Sequence, residues 1–433
     1  MKTISKLALA LALTTGVSAI ALDAPAFAQK KKEEAKKPGL KLSPEVIKAA
    51  QPAQTALAAK DLATAETQIA AIDAAAKTED DKYIGAALRL ELEQRKLIAQ
   101  QEAAPGTAVS QVTLAAPLDA LIASPSTPAA DKGRYVYRRG LIAYDGKQWP
   151  TAIQYLGQAK QLGFTDPDLD LRLANAKINS GDVASGLTDL EASVNASATS
   201  GTKAGEDLYR VGIARANAAK LRPQTVSWMQ KYVTAYPTQK NWRDVVVTYG
   251  LAGNSTIQPT DPQKLDLFRL LRYTRSLADQ NDYVEFGQLL QKRGFPQEAA
   301  AVLKEGTANG RIPASNTEAK AMQTEAAAAI RLEGSLDPLA KRAQAAADGK
   351  LAATTADAYM GSDQFAPAIA LYRAALQKGG VDAAEVNTRL GIALARSGDK
   401  AGAKAAFATV TGEPRTGIAA LWTTAIDTPT PAA

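Results

Sequence analysis

Gly140 and Ala174 stand 34 residues apart, and so do Ala152 and Gly186. Each pair takes the same place in two successive segments of helical character. A fixed period of this size marks an array of helical hairpins, because one hairpin cannot hide its apolar side alone and must stack on the next. The expectation is an all-α chain, a right-handed α-solenoid of helix-turn-helix repeats.

The second helix of each hairpin carries the clearest pattern. Small or apolar residues recur at i, i+4 and i+7: Ala152, Leu156, Ala159; Gly186, Leu190, Ser193; Ala299, Leu303, Gly306; Ala403, Phe407, Val410. That is one stripe of an amphipathic helix. Gly181, Gly294 and Gly398 fall between paired helices, where a left-handed turn residue is needed. Trp149-Pro150, Phe295-Pro296 and Phe365-Ala366-Pro367 open second helices, since proline is tolerated in a first turn. Ser43-Pro44 predicts a helix start with serine as cap, and Asp166-Pro167, Asp261-Pro262 and Asp337-Pro338 predict others.

These residues carry a resemblance. The run Gly140, Tyr144, Trp149, Ala152, Leu156, Ala159 resembles the tetratricopeptide pattern. So do Gly287 to Gly306, Ala356 to Leu376 and Leu390 to Phe407, with a weaker unit through Gly212, Trp228 and Tyr236. The resemblance implies a protein or peptide partner held in a concave groove lined by the first helices. Carried over by position, that groove takes Tyr137, Tyr144, Asn175, Asn179, Gln288 and Lys292, with Asp357, Met360, Thr388 and Arg396 in the last two units. Trp242 and Arg243 join them as an aromatic-plus-arginine pair of the kind enriched at binding hot spots. The family's best-known clamp for a terminal carboxylate needs a lysine where this chain has Leu171, which argues against that ligand.

The expected organisation is a signal peptide over 1–28, a lysine-rich tail over 29–42 and a helical unit over 43–102. A linker rich in Pro, Ala, Ser and Thr follows over 103–132, with at most a short helix near Leu118–Ala123. The solenoid spans 133–426 with a degenerate middle, and a tail closes the chain at 427–433. Lys2 and Lys6, the apolar stretch up to Leu22 and Ala26-Phe27-Ala28 read as an export signal cleaved after Ala28. In a Gram-negative cell the mature chain is expected in the periplasm. The net charge is +7, but residues 29–41 hold six lysines against two glutamates, so the basicity belongs to the tail. Lys30 to Lys41 could touch an anionic surface weakly, and a body this close to neutral disfavours nucleic acid.

Composition removes much chemistry. The chain has no cysteine and no histidine, which excludes disulfides, Ser-His and Cys-His catalysis and His-bound zinc. Ser200–Lys203 and Ser397–Lys400 match Ser-x-x-Lys, without the other elements that chemistry requires. Asp166, Asp168 and Asp170 begin like a calcium loop, but its glycine and glutamate positions hold Leu171 and Lys177. No cofactor or metal is expected. A carboxylate-based glycan hydrolase needs no histidine, yet Glu91, Glu93, Glu285 and Glu298 read as solvated helix faces. Eleven of the 24 aromatics lie in 205–295 and read as core, or as the walls of a small-ligand pocket. The reading is a non-catalytic scaffold that binds an envelope protein or an extended peptide; the alternative is an enzyme acting on cell wall or polysaccharide.

Overall fold

The structure is a computed structural model that describes residues 40–428. The expected signal peptide, most of the lysine tail and all but the first residues of the closing tail lie outside the described residues. Twenty-one α-helices and no strand occur among the described residues. No described helix is long and apolar enough to cross a membrane.

Two compact units divide the chain after Gly85. The first holds α1 (Pro44–Ala58), α2 (Leu62–Ala75) and the opening turns of α3 (Glu79–Ala103). Ser43 does not cap α1 as expected. Its hydroxyl donates instead to Asp81 Oδ2 at 2.6 Å, and its N–H donates to Asp81 Oδ1 at 2.8 Å. A carboxylate is a stronger acceptor than any group α1 offers. Asp81 also accepts the N–H groups of Lys77 and Thr78, so one buried side chain ties the start of α1 to the start of α3.

In the second unit, α4 (Ala115–Ala123) lies inside the stretch read as a linker and packs on α5 (Ala129–Asp145). Regular hairpins follow: α5 with α6 (Trp149–Gln161), α7 (Leu169–Asn179) with α8 (Val183–Thr199), and α9 (Glu206–Ala218) with α10 (Arg222–Ala235). Then come α11 (Gln239–Val246), a π-helical turn at 247–251 and α12 (Asp261–Tyr273). After them α13 (Gln280–Lys292) pairs with α14 (Pro296–Ala308), ahead of α15 (Thr317–Glu333) and α16 (Asp337–Ala345). The last pairs are α17 (Lys350–Gly361) with α18 (Phe365–Lys378) and α19 (Ala383–Ser397) with α20 (Lys400–Ala408), before the final α21 (Arg415–Asp427).

One steric rule repeats through the hairpins. A Cβ on Gly140 would come within 2.8 Å of Leu156, one on Gly212 within 2.3 Å of Trp228, and one on Gly391 within 2.5 Å of Phe407. In each case the bulky residue lies sixteen positions beyond the glycine. The first helix thus offers a flat spot into which the second helix sets a bulky side chain. The turns follow the expectation at Gly181, Gly294 and Gly398, all with positive φ, but Lys147, Lys220 and Asp363 hold the same left-handed conformation elsewhere. The aspartates before proline do not cap. Thr260 forms a capping box with Gln263 at α12, and Asp166 instead accepts the Tyr137 hydroxyl at 2.7 Å.

The second half of this unit is not a simple row in which each hairpin touches only its neighbours. α21 packs against α10, α12 and α19, and α12 also meets α19. Trp422, Leu421 and Ile418 are fully buried there. Gln230 on α10 donates to Thr424 at 2.9 Å, and the Tyr249 hydroxyl donates to the Pro414 carbonyl at 2.8 Å. The array from α9 onward therefore closes through α21. Nine of the eleven aromatics between 205 and 295 are buried in its core.

Candidate functional site

The closure gathers four carboxylates and four guanidiniums, of which all but Glu385 and Arg396 are buried. Asp266 and Arg269 come from α12, Glu298 from α14, Asp357 from α17, Glu385, Arg389 and Arg396 from α19, and Arg415 from α21. Arg269 grips Glu298 through Nε and Nη2 and reaches Asp266 through Nη1 at 3.1 Å. Arg415 joins Asp266 at 2.7 Å to Glu385 at 2.9 Å. Arg389 donates to Asp357 at 2.6 Å, and the Tyr372 hydroxyl donates to the same carboxylate at 2.6 Å. Charges buried this deeply persist only when paired, and here the signs balance. Burial pushes the Glu298 carboxyl up, but the Arg269 guanidinium outweighs it and holds the group below its ordinary value. Asp357 goes the other way: burial raises it against the pull of Arg389 and Arg269.

Glu298 was expected on a solvated face and is fully buried. The pattern of α14 places it one position before the buried Ala299, and Arg269 supplies the countercharge that permits it.

One end of this network floors an open cleft of about 530 Å³. Its walls are the first helices α17 and α19 and the turn between α13 and α14. Leu351, Phe295, Leu339 and Val386 give it apolar surface; Asp357, Glu385 and Arg389 form the polar floor; Lys350, Asp382 and Arg293 stand exposed around it. Arg389 is only 5% exposed. Its Nη2 lies 2.8 Å from Glu385, yet neither Nη2 nor Nε has a well-aligned hydrogen-bond partner. The cleft can therefore take an elongated ligand with apolar side chains and offer it polar groups beneath.

Of the twelve groove residues expected from the sequence, Asp357 alone lines this cleft. Trp242 is a correction: it is fully buried between α11 and its neighbours, with no surface to present. Arg243 is committed to Asp282 through two bonds of 2.9 Å. Tyr137 is buried, stacked on Phe164 with ring centroids 4.7 Å apart. Tyr144 is half-buried, edge-on to Trp149, and Asn175 is half-buried beside it. Asn179 is exposed, Gln288 donates to Glu318 at 2.6 Å, and Lys292 pairs with Asp261 at 2.7 Å. Met360 and Thr388 are fully buried and have no surface to present. Asp357 does line the cleft. Its partners Glu385 and Arg389 carried only the one-turn spacing that supports an ion pair on any helix. The three aspartates of the calcium-like run are split among Tyr137, Arg172 and Lys160.

The chain is an all-α array of helical hairpins packed in succession. No family model matches the chain, and no curated protein matches it. Among solved structures it is similar to one described as "Structure of Naa15/Naa10 bound to HypK-THB", at 12% identity and a TM-score of 0.26. The aligned part covers 84% of this chain and 64% of that one, so the chain spans less than two thirds of its neighbour's length.

Proposed function

We propose that the protein is a non-catalytic scaffold that holds an extended segment of a partner protein in the cleft between α17 and α19. One observation carries this reading: the cleft is walled by the first helices of two successive hairpins and stays open over about 530 Å³. Stacked first helices form the inward face that repeat arrays use for binding. An extended segment suits an open cleft with apolar walls, where side chains bury area while Thr354, Asp382 and Lys350 meet its polar groups. We further propose that the chain is exported to the periplasm, with cleavage after Ala28, and that the partner is an envelope protein. The lysine tail then serves as a spacer with weak affinity for anionic surfaces.

Affinity capture from envelope extracts tests this with three baits: the mature chain, the chain lacking residues 29–41, and a Leu351→Arg variant. The same partner is expected on the first two and not on the third. Retention by Leu351→Arg would place binding outside the cleft. Amino-terminal sequencing of the exported protein should begin at Gln29.

A second reading has one observation in its favour. Asp357 and Glu385 line the same cleft, and burial raises Asp357 as a general acid requires. Against it, Arg389 holds both carboxylates, and Arg415 takes the second as well. A glycosidase needs one of its two carboxyl groups to reach the glycosidic oxygen and the other the anomeric carbon or a water. Turnover of peptidoglycan or another glycan that Asp357→Asn abolishes in a folded protein would favour the enzyme.

A further inference from the structure

A second cavity, of about 350 Å³, shares no lining residue with the cleft. It is lined by Arg269, Arg272, Tyr273, Arg275, Glu305 and Arg396, which arrive from the end of α12, from α14 and from the last turn of α19. Four of six lining side chains are arginines. Helix C-termini welcome cations, which accounts for an arginine in each last turn. It does not account for two segments more than 100 residues apart in sequence bringing their guanidiniums to one cavity.

The bonding inventory shows what is missing. A guanidinium has five N–H donors in a fixed fork. Arg269 spends its donors on Glu298 and Asp266. Arg272 spends Nε on Glu305 at 2.8 Å. Arg396 spends Nη2 on Asp363, an exposed carboxylate, and its Nη1 stands 3.7 Å from Glu298, beyond a hydrogen bond. Its guanidinium also lies over the Phe365 ring at 5.0 Å. Arg275 is exposed and makes no ion pair among the described residues. Glu305 is the one carboxylate in the lining. Donors thus greatly outnumber acceptors. Burial lowers the pKa of Arg396, and Arg272 and Arg269 push it the same way against Glu298 and Asp363. An acceptor-rich anion would relieve both the bonding shortfall and the repulsion.

We propose that this cavity binds the phosphoryl group of a small phosphorylated molecule through Arg272, Arg275 and Arg396. Arginine forks match phosphate oxygens in pairs. A tetrahedral oxyanion turns its oxygens in several directions and can face several forks at once, whereas a planar carboxylate offers two oxygens in one plane. The volume exceeds that of the bare ion and falls at the small end of ligand pockets, which leaves room for a short organic portion.

Titration calorimetry on the full chain at low ionic strength tests this, with inorganic phosphate, glycerol 3-phosphate and acetate as probes. Both phosphate compounds should bind, glycerol 3-phosphate the more tightly, and acetate should give no heat at the same concentration. Tighter binding of inorganic phosphate than of glycerol 3-phosphate would overturn the organic portion of the ligand. Arg275→Gln and Arg272→Gln should each weaken phosphate binding tenfold or more. Arg275 is exposed, so its variant should melt at the wild-type temperature without ligand, which keeps the test valid if Arg272→Gln fails to fold. No heat with either phosphate compound, equal binding of acetate, or wild-type affinity in Arg275→Gln would overturn the proposal.

Discussion

Single residues set the joints of this protein, and Asp81 is the clearest. Four donors converge on its carboxylate, at 2.6 to 3.1 Å. Burial opposes ionisation, but the bonds from Ser43, Thr78 and Lys77 win, and the group sits well below the usual carboxylate range. A folded value below the unfolded one means that the ionised form stabilises the fold. That contribution is complete above the unfolded value near about pH 4 and drains away as pH falls through the folded value. Asp81→Ala should therefore cost the first unit about 3 kcal/mol at neutral pH, the scale of bonds to a charged group with their donors then stranded. Urea unfolding followed by circular dichroism measures this, and the gap from wild type should shrink as pH drops below about 4. A gap independent of pH would contradict the assignment. Gly212 sets a steric joint: its alanine variant puts a Cβ 2.3 Å from the Trp228 ring, which is buried and cannot swing away. About 1–3 kcal/mol of destabilisation is expected from such overpacking, with a shift in tryptophan emission. The glycine was legible in the sequence as part of a weak unit. The clash partner was legible only through the sixteen-residue offset, which a 34-residue period does not display.

At the scale of the element, α12 and α21 were the least legible and do the most. Their sequences, DPQKLDLFRLLRY and RTGIAALWTTAID, read as helices but not as repeat members. No local pattern tells that Asp266 and Arg269 on α12 are buried rather than solvated, since their partners lie up to 149 residues away. The regular hairpins were legible because their stripe is local: Ala152, Leu156 and Ala159 are all fully buried. Asp266 accepts from both Arg269 and Arg415. Asp266→Ala leaves two buried guanidiniums short of a countercharge and should cost about 3–5 kcal/mol, read by thermal and urea unfolding. A chain ending at Pro414 should do more, because it uncovers α10, α12 and α19 together. Hydrogen exchange should then accelerate in α10 as well as in α19. Acceleration confined to α19 and α20 would mean that each hairpin leans only on its neighbour.

For the whole molecule, the sequence carried the class and not the closure. Period, stripe and turn glycines report what each hairpin does with the next, and the all-helical array follows from them. Whether distant hairpins meet depends on α21, which has no repeat partner, and on charges whose partners are remote in sequence. The expected groove therefore failed at Trp242, Met360 and Thr388, which are fully buried, and succeeded at Asp357, which lines the open cleft. The closure packs α21 against α12 and α19; α19 lines both the cleft and the arginine cavity, and α12 lines the cavity. Because the chain has no cysteine, spin labels can be placed cleanly at Thr234→Cys on α10 and Asp427→Cys on α21, both exposed. Pulsed electron–electron resonance should show one short, narrow distance between them that survives in dilute solution and broadens when Asp266→Ala is added. A long or broad distribution in the otherwise wild-type chain would show that the array does not close, and the preformed cleft would fall with it.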